Sequence, residues 1–367
     1  MNKEKFIKIY DFLSVFFCIF GGYIFYSNIE NETVRNVTSW VCSGLGALML
    51  LISFVIKCIK KDFNKKQLKI TIIIGALGLI SFYRQREFYT YLLMALNFIN
   101  KDFKLLMKYI FASALFSYIF IFSMCVFGIV PDDIVFRDDI VRRQLGFSQP
   151  NVCFRFYLPI VISGSIIFDN SKRFLGTCSV VSVLLFLLTN SRAGAIIVNL
   201  FILLAMMPKK VKEKVYKPEA IPFVFVGLTA LSLILSTNCN ELETLNSWLS
   251  NRLCLFESYL KDIGIIGSRE PCVNPLDNLY IKMLYVGGIA GYLLYAFILF
   301  YGSFKRKGKV GCNLFLLCVI TFIYGMVENC SSIGESFVLL PMFMAMLEPN
   351  RLDEIEECAV KEVQLAK

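Results

Sequence analysis

The sequence predicts an all-α fold, a single bundle of helices that crosses a bilayer many times. Three observations predict it. Hydrophobic residues make up 57% of the 367, 35 of them Phe, and the mean hydropathy is +0.64, beyond the apolar share of a soluble domain. Long, nearly charge-free runs recur, and a helix needs about 20 residues to cross hydrocarbon. Lysines gather in a few of the connections between those runs, as they do in loops retained on the cytoplasmic side.

The first run, 6–26, follows the basic start Met1-Asn2-Lys3-Glu4-Lys5. That start is like a signal peptide's, but the apolar stretch is too long and lacks a small-x-small cleavage site, so it reads as an uncleaved first helix. Runs 37–56, 105–130, 221–235 and 281–301 follow the same pattern. Shorter runs lie at 70–83, 88–99, 175–189, 195–207, 314–324 and 337–347. With the segment after Asn151 they bring the expectation to about twelve helices. Residues 1–347 therefore read as one multi-pass domain that includes two long loops, 131–151 and 236–280, with 348–367 as a short acidic cytoplasmic tail. In the second loop Trp248, Leu249, Leu253, Leu255, Phe256 and Tyr259 recur at roughly helical spacing, which predicts an amphipathic helix lying on the membrane or capping a cavity.

With a cytoplasmic amino terminus and alternating helices, the inner segments are 1–5, 57–69, 100–104, 169–174, 208–219, 304–310 and the tail. Lys57, Lys60, Lys61, Lys65, Lys66 and Lys69 share one of them, and Lys209, Lys210, Lys212, Lys214 and Lys217 another. Both termini come out cytoplasmic, and the net charge of +10 is an orientation signal rather than a nucleic-acid footprint. The outer cations are nearly all arginine: Arg35, Arg84, Arg86, Arg137, Arg142, Arg143, Arg192, Arg252 and Arg269, against Lys261 and Lys282. A rigid fork of donors suits bidentate contact with phosphate or carboxylate, so an anionic substrate at the outer face is one reading. Arginines bonded to loop carbonyls and lipid headgroups are the other.

Several local patterns bear on chemistry. Ser191-Arg192-Ala193-Gly194 interrupts the apolar sequence between two runs, placing a cation beside hydrocarbon, with Ala193 and Gly194 leaving backbone room for a ligand. Arg155, inside a run, is expected to pair with an acid across the bundle. Asp277-Asn278 precedes Leu279-Tyr280 and a new run, so either residue could be a helix N-cap. Glu328-Asn329 places an acid at the end of another run. Asp132-Asp133 and Asp138-Asp139 read as a solvated acidic loop. Thirteen cysteines lie mostly inside runs, where they act as small apolar residues. Cys239, Cys254, Cys272 and Cys330 fall in outer loops, where a disulfide is allowed but not implied. The chain has no histidine, which excludes a Ser-His-Asp triad and a histidine base. It also has no phosphate-binding Gly-x-x-x-x-Gly-Lys-Ser/Thr loop and no Asp-x-Asp metal clamp.

Four pieces stand in order: Arg143-Gln144-Leu145-Gly146-Phe147-Ser148-Gln149-Pro150-Asn151, Ser191-Arg192-Ala193-Gly194, Leu249-Ser250-Asn251-Arg252 and Asp277-Asn278-Leu279-Tyr280. In this the chain resembles the O-antigen polymerase (Wzy) family, related to the O-antigen ligases, through most of its length as a helix-and-loop plan. It departs from the family pattern at Gln149, where histidine is common, and at Asn251, where glycine usually precedes the arginine. The ligases carry His-Asn where this chain has Asp277-Asn278, which favours a polymerase. The resemblance implies a glycosyltransferase of the bacterial cytoplasmic (inner) membrane. It would join polyprenyl-pyrophosphate-linked (undecaprenyl-linked) oligosaccharide repeat units at the outer face, building the O-antigen of lipopolysaccharide, capsule or exopolysaccharide without cofactor or metal. Its implied partners are the lipid-linked oligosaccharide, the bilayer, and a chain-length regulator and flippase of the same pathway. Arg192 and Arg252, then Arg143 and Arg142, would hold the departing pyrophosphate. Asp277, or Glu328, would orient or deprotonate the acceptor, with Asn278, Tyr280, Asn151 and Ser191 holding substrate. A ligase of the same fold, or a transporter or flippase of lipid-linked sugars, is the alternative.

Overall fold

The computed structural model describes residues 3–82, 85–99, 101–137, 140–248, 252–267, 276–305, 312–328 and 338–348. Arg84, the Asp138-Asp139 pair, Leu249, Ser250, Asn251, Arg269, Cys272, Asn329, Cys330 and the tail beyond 348 lie outside them, as do the side chains of Arg86, Arg137 and Trp248. Among the described residues the protein is 79% helical, in keeping with the all-α expectation. Its helices are α1 (Lys3–Phe25), α2 (Glu32–Ile59), α3 (Lys65–Ser81), α4 (Arg86–Phe98), α5 (Phe103–Val126), α6 (Pro150–Ile167), α7 (Lys172–Thr189), α8 (Arg192–Met206), α9 (Lys209–Val215), α10 (Ile221–Thr237), α11 (Glu243–Trp248), α12 (Arg252–Leu260), α13 (Leu279–Lys305), α14 (Cys312–Gly325) and α15 (Leu339–Leu347).

Seven of these, α1, α2, α5, α6, α7, α10 and α13, are long and apolar enough to cross a membrane; α8 and α14 are apolar but shorter. The apolar runs at 88–99 and 337–347 form α4, of 13 residues, and α15, of 9. At 1.5 Å per residue α4 falls short of the roughly 30 Å of hydrocarbon, and α15 is described only within residues 338–348. They pack on one another, and α15 also lies against α13. Lipid-facing surface is plain on α2, where Val37, Trp40, Val41, Leu48 and Leu51 are exposed along one side. Its other side meets α1 at two glycines: a Cβ on Gly21 would lie 2.8 Å from the Ser39 carbonyl oxygen, and one on Gly46 2.7 Å from the Cys18 nitrogen. Ser39 Oγ donates to the Gly21 carbonyl at 2.7 Å, the close backbone approach that small residues allow between membrane helices. α6 is the most enclosed long helix, packed by α5, α7 and α8.

The loop at 131–151 differs from the all-helical expectation. Ile134–Arg137 (β1) and Ile140–Arg143 (β2) pair antiparallel, Ile134 opposite Arg143 and Val135 opposite Arg142. Their β-branched residues favour pleated backbone, and a short hairpin satisfies its own backbone groups at the edge of the bundle. The aspartates beside it are anchored rather than merely solvated. Asp132 accepts from Arg143 and from the Leu145 N–H, and Asp133 accepts from Asn28.

The two ends of the bundle carry different cations. At one end Lys57 Nζ donates to the Asn97 carbonyl, Lys101 pairs with Asp11, and Lys104 pairs with Asp169. At the other stand Arg142, Arg143, Arg192 and Arg252. Arg155, deep in α6, lays its guanidinium over the Tyr26 ring at 5.0 Å.

The loop at 236–280 is ordered where it is described. Its described residues include the helical segments α11 and α12, over a small core of Cys239, Leu253, Phe256, Tyr259, Ile281 and Tyr285. It also breaks α13. At Gly288 the backbone leaves helical geometry (φ 66°, ψ −174°), and the N–H groups of Ile289 and Ala290 bond the carbonyls of Gly264 and Ile265. A Cβ on Gly267 would sit 1.7 Å from the Val286 carbonyl oxygen, so the loop reaches the break only with glycine there. Gly267→Ala is expected to destabilise the protein by about 2 kcal/mol or more, read as a clear fall in melting temperature in detergent. Gly227→Ala, where nothing stands within 4 Å of the new carbon, should leave it unchanged.

Candidate functional site

Six of the ten candidate residues form one connected network at the arginine end of the bundle. Asn151, in the first turn of α6, is its hub. Its Oδ1 accepts from Arg142 Nη2 at 2.7 Å and from Ser191 Oγ at 3.0 Å, and its Nδ2 donates to Glu328 Oε1 at 2.6 Å. Glu328 lies 3.8 Å from Arg252 Nη1, and Arg252 Nη2 lies 3.1 Å from Asp277 Oδ2. The arginines also close off helix ends. Arg142 Nε donates to the Thr189 carbonyl at the end of α7 at 3.1 Å, and Arg252 Nη1 to the Val327 carbonyl just beyond α14 at 2.7 Å. Orphan carbonyls there draw cations.

Helix starts supply the other half of the geometry. Asn151, Ser191 and Asn278 stand at the first residues or N-caps of α6, α8 and α13, so several positive dipole ends face the same region. The turn into α8 is made by Asn190 in left-handed conformation (φ 48°), which ends α7 and sets Ser191 toward Asn151. Arg192, the next residue, is exposed and bonds no described residue through its side chain. It is therefore a cation free to meet a ligand beside the network. Solvent access within the network is uneven: the Glu328 side chain is 3% exposed, Asp277 18% and Arg252 26%. Arg142, Asn151, Arg252 and Asp277 are partly exposed, and Asp277 is the more accessible of the two carboxylates.

Four expectations come out differently. Arg143 turns away from the network and grips Asp132, with Nη2 to Oδ2 at 2.5 Å, because neighbouring residues of a strand face opposite sides. Asn278 is buried. Its Oδ1 caps the N–H groups of Tyr280 and Ile281, and its Nδ2 donates to the Met326 carbonyl and to Ser232. Tyr280 is fully buried and gives its hydroxyl to the Phe322 carbonyl at 2.7 Å. These two position Asp277 rather than reach a ligand. Gly194 leaves no room for one either, since a Cβ there would lie 2.3 Å from Phe154; its smallness lets α8 close on α6.

Sequence reasoning also passed over partners that only the fold reveals, above all the Thr189 and Val327 carbonyls. A small cleft of about 70 Å³ has Leu279, two residues past Asp277, in its lining. Phe82, Phe88, Tyr91 and Met283 line it with apolar surface, and Glu87 and Lys282 stand in its wall. No protein-family model, curated protein or solved structure matches the chain.

Removing the hub leaves a nearly buried carboxylate and an arginine short of partners. Asn151→Ala should therefore cost about 2–3 kcal/mol, whereas Arg143→Ala, which breaks a half-exposed surface pair, should stay within about 1 kcal/mol. Melting in detergent, run side by side, checks the ranking.

Proposed function

We propose that this network is the active centre of a membrane glycosyltransferase that polymerises polyprenyl-pyrophosphate-linked oligosaccharide repeat units. The arginine end would be the outer face of the bacterial cytoplasmic membrane, with both termini inside. The observation that carries the reading is the meeting of Arg252, Asp277 and Glu328 with Asn151 and Ser191. These residues come from five separated stretches of chain, beside the uncommitted Arg192.

The chemistry follows from the roles such a centre must fill. The acceptor sugar's hydroxyl oxygen bonds the anomeric carbon of the growing chain, the bond from that carbon to the carrier's pyrophosphate breaks, and the hydroxyl proton passes to a carboxylate. Asp277 is the more accessible carboxylate and faces the acceptor as its base. Glu328, nearly buried, holds Arg252 and Asn151 in place. Charge grows on the departing pyrophosphate, and Arg192, Arg252 and the adjoining helix starts stabilise it without a metal. The apolar cleft at Leu279 suits the first isoprene units of the carrier, while the remaining tail stays in lipid.

The broken helix α13 favours a second reading, because interrupted helices mark the sites of many transporters. Here the freed N–H groups at the break are already bonded by Gly264 and Ile265, so the break serves to dock a loop.

The test is elongation by the purified chain supplied with its host's lipid-linked repeat unit, with products resolved on a gel. The wild type should build a ladder with chelator present and without ATP. Asp277→Asn and Arg252→Ala should each lose about 100-fold or more in rate, and Arg192→Ala should lose rate with its fold intact. A wild type that moves the lipid between leaflets and never lengthens it would show a transporter instead.

A further inference from the structure

Two residues past Arg252, α12 brings Cys254 against Cys239, from the segment that follows α10. Their Sγ atoms lie 2.7 Å apart, closer than unbonded sulfurs pack and within a small shift of the disulfide length of about 2.05 Å. Neighbouring groups hold both sulfurs in position. Asn246 Nδ2 donates to the Cys254 sulfur at 3.1 Å, and Cys239 donates to Glu257 Oε2 at 3.3 Å. Cys239 is 1% exposed and belongs to the small core with Leu253, Phe256 and Tyr285, while Cys254 is partly exposed.

We propose that Cys239 and Cys254 form an intrachain disulfide in the working protein, one that ties the start of α12, and with it Arg252, to the end of α10. The geometry stands on the sulfur contact. The oxidising surroundings rest on the reading that this end of the bundle faces outward. The oxidant is a disulfide, carried by a protein or a small molecule. Cys254, the accessible thiol, attacks it as thiolate and expels one thiolate from the reagent. Cys239 then passes its proton to Glu257 and attacks the Cys254 sulfur of the mixed disulfide, expelling the second. The reagent disulfide is reduced to two thiols, and two protein thiols are oxidised to one bond. The order suits the two sulfurs: the side-chain hydrogen bond with Cys254, followed by burial and Glu257, pushes the Cys239 thiol up to about 12, so it does not attack first. The bond acts on the site through position. Arg252 must reach Asp277, Glu328 and the Val327 carbonyl from a helix of 9 residues, and a covalent tie one half-turn along restricts the directions in which that helix can swing.

Cleavage after Arg252 separates the two cysteines onto different tryptic peptides, so the bond is directly readable. Protein purified without reductant, denatured in N-ethylmaleimide, digested and weighed should yield the Cys239 peptide joined to the Cys254 peptide. The joined mass should equal their sum less two hydrogens, vanish on reduction, and come from the monomer band. Both cysteines found separately alkylated, even after treatment with oxidised glutathione, would overturn the proposal. Cys239→Ser, Cys254→Ser and the double variant should melt alike and below the wild type, and reductant should bring the wild type to the same point; additive losses would count against a shared bond. In the elongation assay the same reductant should lower the rate several-fold. Because the peptide readout needs no substrate, a bond found in a protein that never elongates would sink the polymerase reading and leave the disulfide standing.

Discussion

Glu328 is an almost fully buried carboxylate just beyond the apolar helix α14, and the arrangement around it follows from the need to pair it. An unpaired charge there would cost several kcal/mol, so the chain must bring donors from elsewhere. Asn151 comes from the start of α6 and Arg252 from the start of α12, both far away in sequence. Once those are placed, the rest has little freedom. Asn151 uses its remaining oxygen for Arg142 and Ser191, which fixes the β-hairpin and the turn before α8. Arg252 uses its second edge for Asp277, which sets the start of α13. Networks of this kind are worth most where water is scarce and every member is satisfied.

The same constraint separates residues that hold the site from those open to a ligand. Asn278 and Tyr280 spend their polar atoms on the Met326 and Phe322 carbonyls, so they fix Asp277 against α14 and have nothing left for a sugar. The loop at 236–280 does comparable work from above, with Gly267 and Gly288 letting backbone meet backbone at the break in α13. Among the described residues, Arg192 is exposed, the Arg252–Asp277 pair is partly so, and an apolar cleft is lined by Leu279. A cation, a carboxylate beside an arginine, and a greasy slot next to them make a combination suited to a charged lipid.

Much of this was legible in sequence, and for a physical reason. Spans announce themselves by apolar length, so the helices of the bundle fall where the apolar runs lie. Six candidate site residues meet because ionisable groups at membrane boundaries are costly unless they serve a purpose. The misreadings share a different cause, dependence on partners that no local pattern encodes. Arg142 and Arg143 are adjacent in the chain, and only the hairpin's pleat decides which one faces Asn151. Gly194 read as space for a ligand, but Phe154 of α6 fills it. Asp132 read as solvated because Arg143 and the Leu145 N–H approach it only after the chain doubles back.

The central claim is that this end of the bundle holds a lipid-linked anion through Arg192 and Arg252. Native mass spectrometry of the purified protein in detergent, with chelator present, tests it most directly by comparing polyprenyl pyrophosphate with polyprenyl alcohol of the same length. The account predicts that the pyrophosphate binds at concentrations where the alcohol does not, and that Arg192→Ala together with Arg252→Gln removes the difference while the protein stays folded. Equal binding of the two lipids, or a preference that survives both substitutions, would contradict it.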